Sequence, residues 1–202
     1  MGDHHHHAPT SDRVDRAFLI SLALNSLLVT VQVIVGITAG SLALLADAGH
    51  NLSDVVALVL GLVAVRLGQR PSSDRRTFGL RRAGILAAAA NAAVPLVVCV
   101  GIAWEAVLRL QYPEPVAYGW VIGAAALGVL VNGSTALLFL DQGKRDLNMR
   151  AAFLHLGGDA AISLGVILTG FAIQFTGQSW IDPVVSLAIT TFCWPASWIR
   201  TT

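Results

Sequence analysis

Asp47-Ala48-Gly49-His50-Asn51-Leu52-Ser53-Asp54 sets two carboxylates and a histidine inside the otherwise apolar run 41–66. A run of that length suits a helix crossing a bilayer, which takes roughly 20 residues. Positions 47, 50 and 54 are spaced i, i+3, i+7, so all three fall on one stripe of a helix. A carboxylate at membrane depth costs about 2.5–3.5 kcal/mol even on a lenient insertion scale. A helix that keeps two of them needs a use for them.

The rest of the chain places this helix in a membrane. Hydrophobic residues make up 55% of the sequence and charged residues only 12%, against about 25% charged in an ordinary soluble domain. Six runs are expected to span, at 17–39, 41–66, 83–109, 117–140, 151–175 and 181–199. The fold class is therefore an all-α integral membrane protein, with residues 1–16 as an N-terminal tail and 200–202 as a short C-terminus. The apolar runs are continuous rather than alternating, which excludes a β-barrel. No secretory signal pattern opens the chain. Cys99 and Cys193 lie in apolar runs and form no CxxC pair, so a redox motif or cysteine zinc site is not expected. A net charge of +1 gives no reason to expect nucleic acid as a partner.

Basic residues set the orientation. One side holds Arg13, Arg16, Arg66, Arg70, Arg75, Arg76, Arg81, Arg82, Lys144, Arg145, Arg150 and Arg200, and the other holds only Arg109. Both termini are expected in the cytoplasm, in the cell's inner membrane, with the last helix followed by no soluble domain.

The fifth helix repeats the chemistry of the second. His155-Leu156-Gly157-Gly158-Asp159 carries a His and an Asp at i, i+4, as do His50 and Asp54. Apart from His4–His7, these are the chain's only histidines. On antiparallel helices His50 would face Asp159 and Asp54 would face His155. At 1.5 Å per residue, Asp54 lies roughly 20 Å from the outer end of its helix and Asp159 roughly 14 Å from the inner end of its own, both near the midplane. Two imidazoles and two carboxylates suit a tetrahedral Zn2+ ion, with Cd2+, Co2+, Ni2+ and Fe2+ also compatible. Two other readings compete with this one. The pairs could be hydrogen bonds that only pin helices together, or a proton relay without metal.

Other polar positions carry weaker signals. Asp47 could act as an auxiliary ligand toward the outer side. Ser21, Asn25 and Gln32 form a stripe that either lines a wet cavity or bonds neighbouring helices, and Asn51 belongs with the cavity candidates. Asn91 and Asn132 read as contacts between helices. Gly157-Gly158 is expected to permit close helix approach. Asp182-Pro183 reads as an N-cap followed by Pro at the first helical position. Glu105 is expected to reach the interface, where Trp180, Trp194, Trp198 and Tyr118 serve as anchors. His4, His5, His6 and His7 are either a cytoplasmic metal-collecting tract or a cloning remnant.

Four segments together resemble the cation diffusion facilitator family of metal/proton antiporters. They are Ser41–Asp54, Phe78-Gly79-Leu80-Arg81-Arg82-Ala83-Gly84-Ile85-Leu86-Ala87-Ala88, Leu147–Asp159 and Trp180-Ile181-Asp182-Pro183-Val184-Val185-Ser186. The resemblance implies that His50, Asp54, His155 and Asp159 bind the transported ion. It further implies proton-driven efflux from the cytoplasm by a homodimer, and a zinc preference from His at position 50. Gly84 stands where the family usually has an acidic residue. The family's usual C-terminal cytoplasmic domain is not expected here.

The mechanism expected from the site is exchange. Metal needs neutral His and ionised Asp, so metal and protons compete for the same atoms. One rival is an intramembrane zinc-dependent hydrolase, which would keep a position open for water and use a separate base. The other is a metal-binding membrane sensor or channel without proton coupling.

Overall fold

The structure, a computed structural model, describes residues 11–68, 81–140 and 147–198. Its elements are α1 (Ser11–Ala39), α2 (Leu42–Gly68), α3 (Arg81–Gln111), α4 (Tyr118–Phe139), α5 (Leu147–Thr176) and α6 (Ile181–Trp198), with no strand among the described residues. Lipid offers no partner for a backbone N–H or C=O, so an apolar segment must satisfy its own, as a helix does. Hydroxyls inside the helices follow the same rule. Ser26, Ser53 and Thr169 donate to the carbonyls of Leu22, Gly49 and Gly165, four residues back, at 2.7–2.9 Å.

Windows in α1, α3, α4 and α5 are long and apolar enough to cross a membrane: Leu22–Ala39, Ala93–Gln111, Tyr118–Phe139 and Arg150–Thr176, joined by a shorter apolar stretch, Ile181–Thr191. The chain is a multi-pass membrane protein. Several helices outrun their apolar stretches at the arginine-rich end. α1 begins at Ser11 rather than 17, α3 at Arg81 rather than 83, and α5 at Leu147 rather than 151. Hydropathy marks only the length that faces lipid, whereas backbone hydrogen bonding carries a helix on into the interface. Pro95 sits within α3 and removes one donor from that helix's ladder.

α4 and α5 make the most extensive helix pair, and α2 packs against α1, α3, α5 and α6. The buried core lies toward the end where α1 turns into α2. It includes Ala43, Leu44, Val121, Ala125, Val166 and Ile189. Gly40 makes that turn at φ +70, a conformation that disfavours a side chain. Arg109 closes it from α3. Its Nη1 donates to the Gly40 carbonyl at 2.7 Å, while its other nitrogens pair with Glu105 at 3.0 Å and Glu114 at 3.2 Å. The exposed indole of Trp180 lies at the same end and donates to Gln178 Oε1 at 2.7 Å.

Two local expectations are corrected. Asp182 does not cap its own helix. Its carboxylate accepts the backbone N–H groups of Leu42 and Ala43 and the Ser41 hydroxyl, because α6 begins beside the start of α2 and the unpaired donors there are nearer. Gly157 and Gly158 do not mediate close packing, since a Cβ at either would meet nothing within 4 Å. Close approach of α5 to α4 occurs at Gly170 instead, where a Cβ would lie 2.6 Å from Ile122 Cγ1.

Candidate metal centre

α2 and α5 meet as antiparallel partners. Each step toward the C-terminus of α2 is matched by one toward the N-terminus of α5. Asp47 faces Ser163, with Ser163 Oγ donating to Asp47 Oδ2 at 2.8 Å. One turn on, His50 Nε2 lies 2.9 Å from Asp159 Oδ1. One turn further, His155 Nε2 lies 3.3 Å from Asp54 Oδ1. Helical periodicity explains the alignment, since residues three or four apart stack on one face of each helix.

Asp159 is the most central of these groups. Its Oδ1 meets His50 and its Oδ2 lies 3.8 Å from His155 Nε2. One ligand atom from each of His50, Asp54 and Asp159 falls within 4.8 Å of the others, and a single ion could bind all three. His155 stands at the rim of that triad, its ring centroid 6.2 Å from that of His50. Zn–N and Zn–O bonds are about 2.0–2.2 Å long, so ligand atoms of one tetrahedron lie roughly 3.3–3.6 Å apart, close to the spacing of these pairs.

The set is not uniformly buried. Asp159 is 4% exposed and His50 16%, whereas Asp54 is 22% and His155 43% exposed. Exposure rises toward the end where α4 leads into α5.

Asp47 lies outside the triad. It is fully buried, and its Oδ2 accepts from Gln32 Nε2 at 2.7 Å as well as from Ser163. Gln32 is also fully buried and accepts in turn from Asn51 Nδ2 at 3.1 Å, while Asn132 Nδ2 donates to Asn51 Oδ1 at 3.3 Å. Asn25 is half-buried on α1. The side chains of Ser21 and Asn91, and His4–His7, lie outside the described residues. Sequence reading did not find Ser163. A lone serine in an apolar helix carries no signal by itself, although its place one turn beyond Asp159 could have raised it.

The sequence profile of the cation efflux transmembrane domain matches residues 18–198. The chain belongs to that family. Among curated relatives of this cation efflux domain, it is 38% identical over 200 residues to the zinc transporter ZitB of Escherichia coli, covering 96% of this chain and 64% of that protein. It is 37% identical over 191 residues to a cadmium, cobalt and zinc/H(+)-K(+) antiporter of Bacillus velezensis, covering 94% and 60%. It is 35% identical over 199 residues to the metal cation efflux system protein CzcD of Cupriavidus metallidurans, covering 98% and 63%. The chain thus spans less than two thirds of the length of these relatives.

Proposed function

We propose that this chain exports a divalent metal ion, Zn2+ first among the candidates, from the cytoplasm in exchange for protons. His50, Asp54, His155 and Asp159 hold the ion. The observation that carries the reading is the pair of His–Asp contacts at successive turns of α2 and α5, at 2.9 and 3.3 Å. The names of the relatives from Escherichia coli and Bacillus velezensis support zinc as cargo, and the latter supports proton exchange. Zn2+ here is a transported substrate rather than a resident cofactor.

Charge and proton chemistry supply the coupling. The two carboxylates neutralise a divalent ion, so the loaded site carries no net charge into the apolar bundle. Loading requires neutral imidazoles and ionised carboxylates and therefore displaces protons, and reprotonation from the other side releases the ion. The basic-residue split supports an orientation with both termini in the cytoplasm of a cell whose inner membrane holds the chain. A homodimer joined through the transmembrane helices completes the proposal.

A hydrolase is disfavoured by family membership. The test is zinc flux into proteoliposomes against an opposing pH gradient. Wild-type protein should show gradient-dependent flux, and Asp54→Ala or His155→Ala should abolish it while still inserting. Flux that ignores the gradient would favour a channel, and normal flux in either variant would refute the four-ligand site.

A further inference from the structure

We propose that Asp47, Ser163 and Gln32 form a gate that closes the ion site toward the face carrying Gly40 and Gly177, the outer face in the orientation proposed above. The inference rests on the proposed four-ligand site and adds a residue set outside it.

Accessibility along the α2–α5 seam carries the argument. The His155–Asp54 level is the most open and the His50–Asp159 level is nearly closed. At the next level Asp47 and Ser163 are both 0% exposed, and one turn further Ala43 and Val166 are also 0% exposed. An ion at the candidate site therefore meets the more exposed side chains at one end and, at the other, a hydrogen-bonded rung backed by packed apolar side chains. Ala43 and Val166 belong to the buried core, with Leu44, Val121 and Ala125 beside them. An ion leaving toward that face must pass Asp47 first.

The rung is built to close tightly and to open. It ties α1, α2 and α5 together at 2.7 and 2.8 Å through Gln32, Asp47 and Ser163. α4 presses on it from below with a glycine. A Cβ at Gly128 would lie 2.5 Å from Ser163 Oγ and 3.1 Å from Gln32 Nε2, so only a missing side chain lets both donors reach the carboxylate. Yet Asp47 is only partly satisfied. Its Oδ1 is buried without a hydrogen-bond partner among the described residues. A buried acceptor without a partner is a standing cost, and it keeps the closed arrangement from being deeply stable. Asp47 is thus a positioning residue. In the closed state it accepts bonds from two neighbouring helices, and when they part it presents a carboxylate to the departing cation.

The test uses the full chain in proteoliposomes, with Cys99→Ala and Cys193→Ala removing the native thiols and Val166→Cys as the only reporter. A membrane-impermeant thiol reagent is applied from the Gly40 face without metal. Labelling should be slow when the rung is intact. It should rise roughly tenfold in Ser163→Ala, the shift expected from losing one hydrogen bond to a charged group, and at least as much in Asp47→Ala, which loses both. Asp47→Asn should stay slow, because its amide oxygen accepts from the same two donors. A zinc titration of Ser163→Ala should show a smaller change than the roughly 10–100-fold cost of losing an outer-shell ligand partner. Unchanged labelling in Ser163→Ala would overturn the gate, and so would Asp47→Asn labelling as fast as Asp47→Ala. Ser163→Ala deletes only a hydroxyl and decides the matter if Asp47→Ala fails to fold. Failure of the four-ligand reading is separately visible: zinc affinity unchanged in Asp54→Ala would remove that site without altering the metal-free labelling.

Discussion

Asp182 and Leu42 stand 140 positions apart in sequence, and the carboxylate of the first accepts the backbone N–H of the second at 2.6 Å. Asp182 thereby helps Ser41 to cap a helix to which it does not itself belong. The same Oδ2 accepts from Ala43 N at 3.2 Å, and Oδ1 accepts from Ser41 Oγ at 2.6 Å. Ser41 Oγ in turn accepts from Leu44 N at 3.1 Å. The donors left over at the start of α2 are all served by this arrangement. Because His50 and Asp54 ride on α2, a contact from α6 sets the axial position of half the candidate site.

Replacing Asp182 by Ala should therefore loosen α2 at its start before it disturbs α5. We expect a loss of about 1–3 kcal/mol, in the range for removing a cap or a partner of buried donors. Hydrogen exchange in detergent should speed up at Leu42 and Ala43 and stay slow in the middle of α5. Equal acceleration in both helices would show that the contact only contributes to global stability.

Asp159 should be the most sensitive ligand. It reaches toward both imidazoles, at 2.9 Å from His50 and 3.8 Å from His155, and is almost fully buried. Asp159→Ala should weaken zinc binding by more than the roughly 10–100-fold typical of an outer-shell partner, and by more than Asp54→Ala. Isothermal titration with zinc on both purified variants gives the order directly, and the reverse order would count against Asp159 as the central ligand.

Acidification should weaken zinc binding. The ligands bind metal only when deprotonated, so protons compete and affinity falls as the pH is lowered. Each proton displaced on loading adds a fall of about tenfold per pH unit. Zinc affinities measured from pH 7.5 to 5.5 should decline with a slope of at least about one proton per ion. A flat profile would remove the basis for exchange.

Glycine substitutions should separate by position. Gly128→Ala forces a Cβ to within 2.5 Å of Ser163 Oγ and should cost about 1–3 kcal/mol, as overpacking does. Gly157→Ala and Gly158→Ala place a Cβ in open space and should be neutral or stabilising by up to about 1 kcal/mol from helix propensity. Thermal unfolding of the three variants in one detergent compares them, and a Gly157→Ala loss as large as that of Gly128→Ala would contradict the packing described.

Much of this was legible beforehand because of the solvent. Lipid forces long apolar runs into helices, so the elements follow from hydropathy alone, and the largest extensions past it are at the arginine-rich side. The His50–Asp159 and His155–Asp54 contacts were also foreseeable, since spacing along α2 and α5 put His50 and His155 each one turn from an Asp. Asp182 misled for a physical reason. An Asp before Pro at a helix start usually serves its own helix, and nothing local reveals that a neighbour's donors lie closer.

By itself, then, the sequence determined the helices and the His–Asp spacing on α2 and α5, because helical periodicity and the cost of a buried carboxylate act on neighbours along one chain. Tertiary structure decided which carboxylates stand apart from that set. Asp47 shares a stripe with His50 and Asp54, yet its partners come from Gln32 on α1 and Ser163 on α5. Whether a buried carboxylate meets an ion, a hydroxyl or a helix end depends on what other helices bring within about 3 Å, and only the packing of the bundle sets that distance.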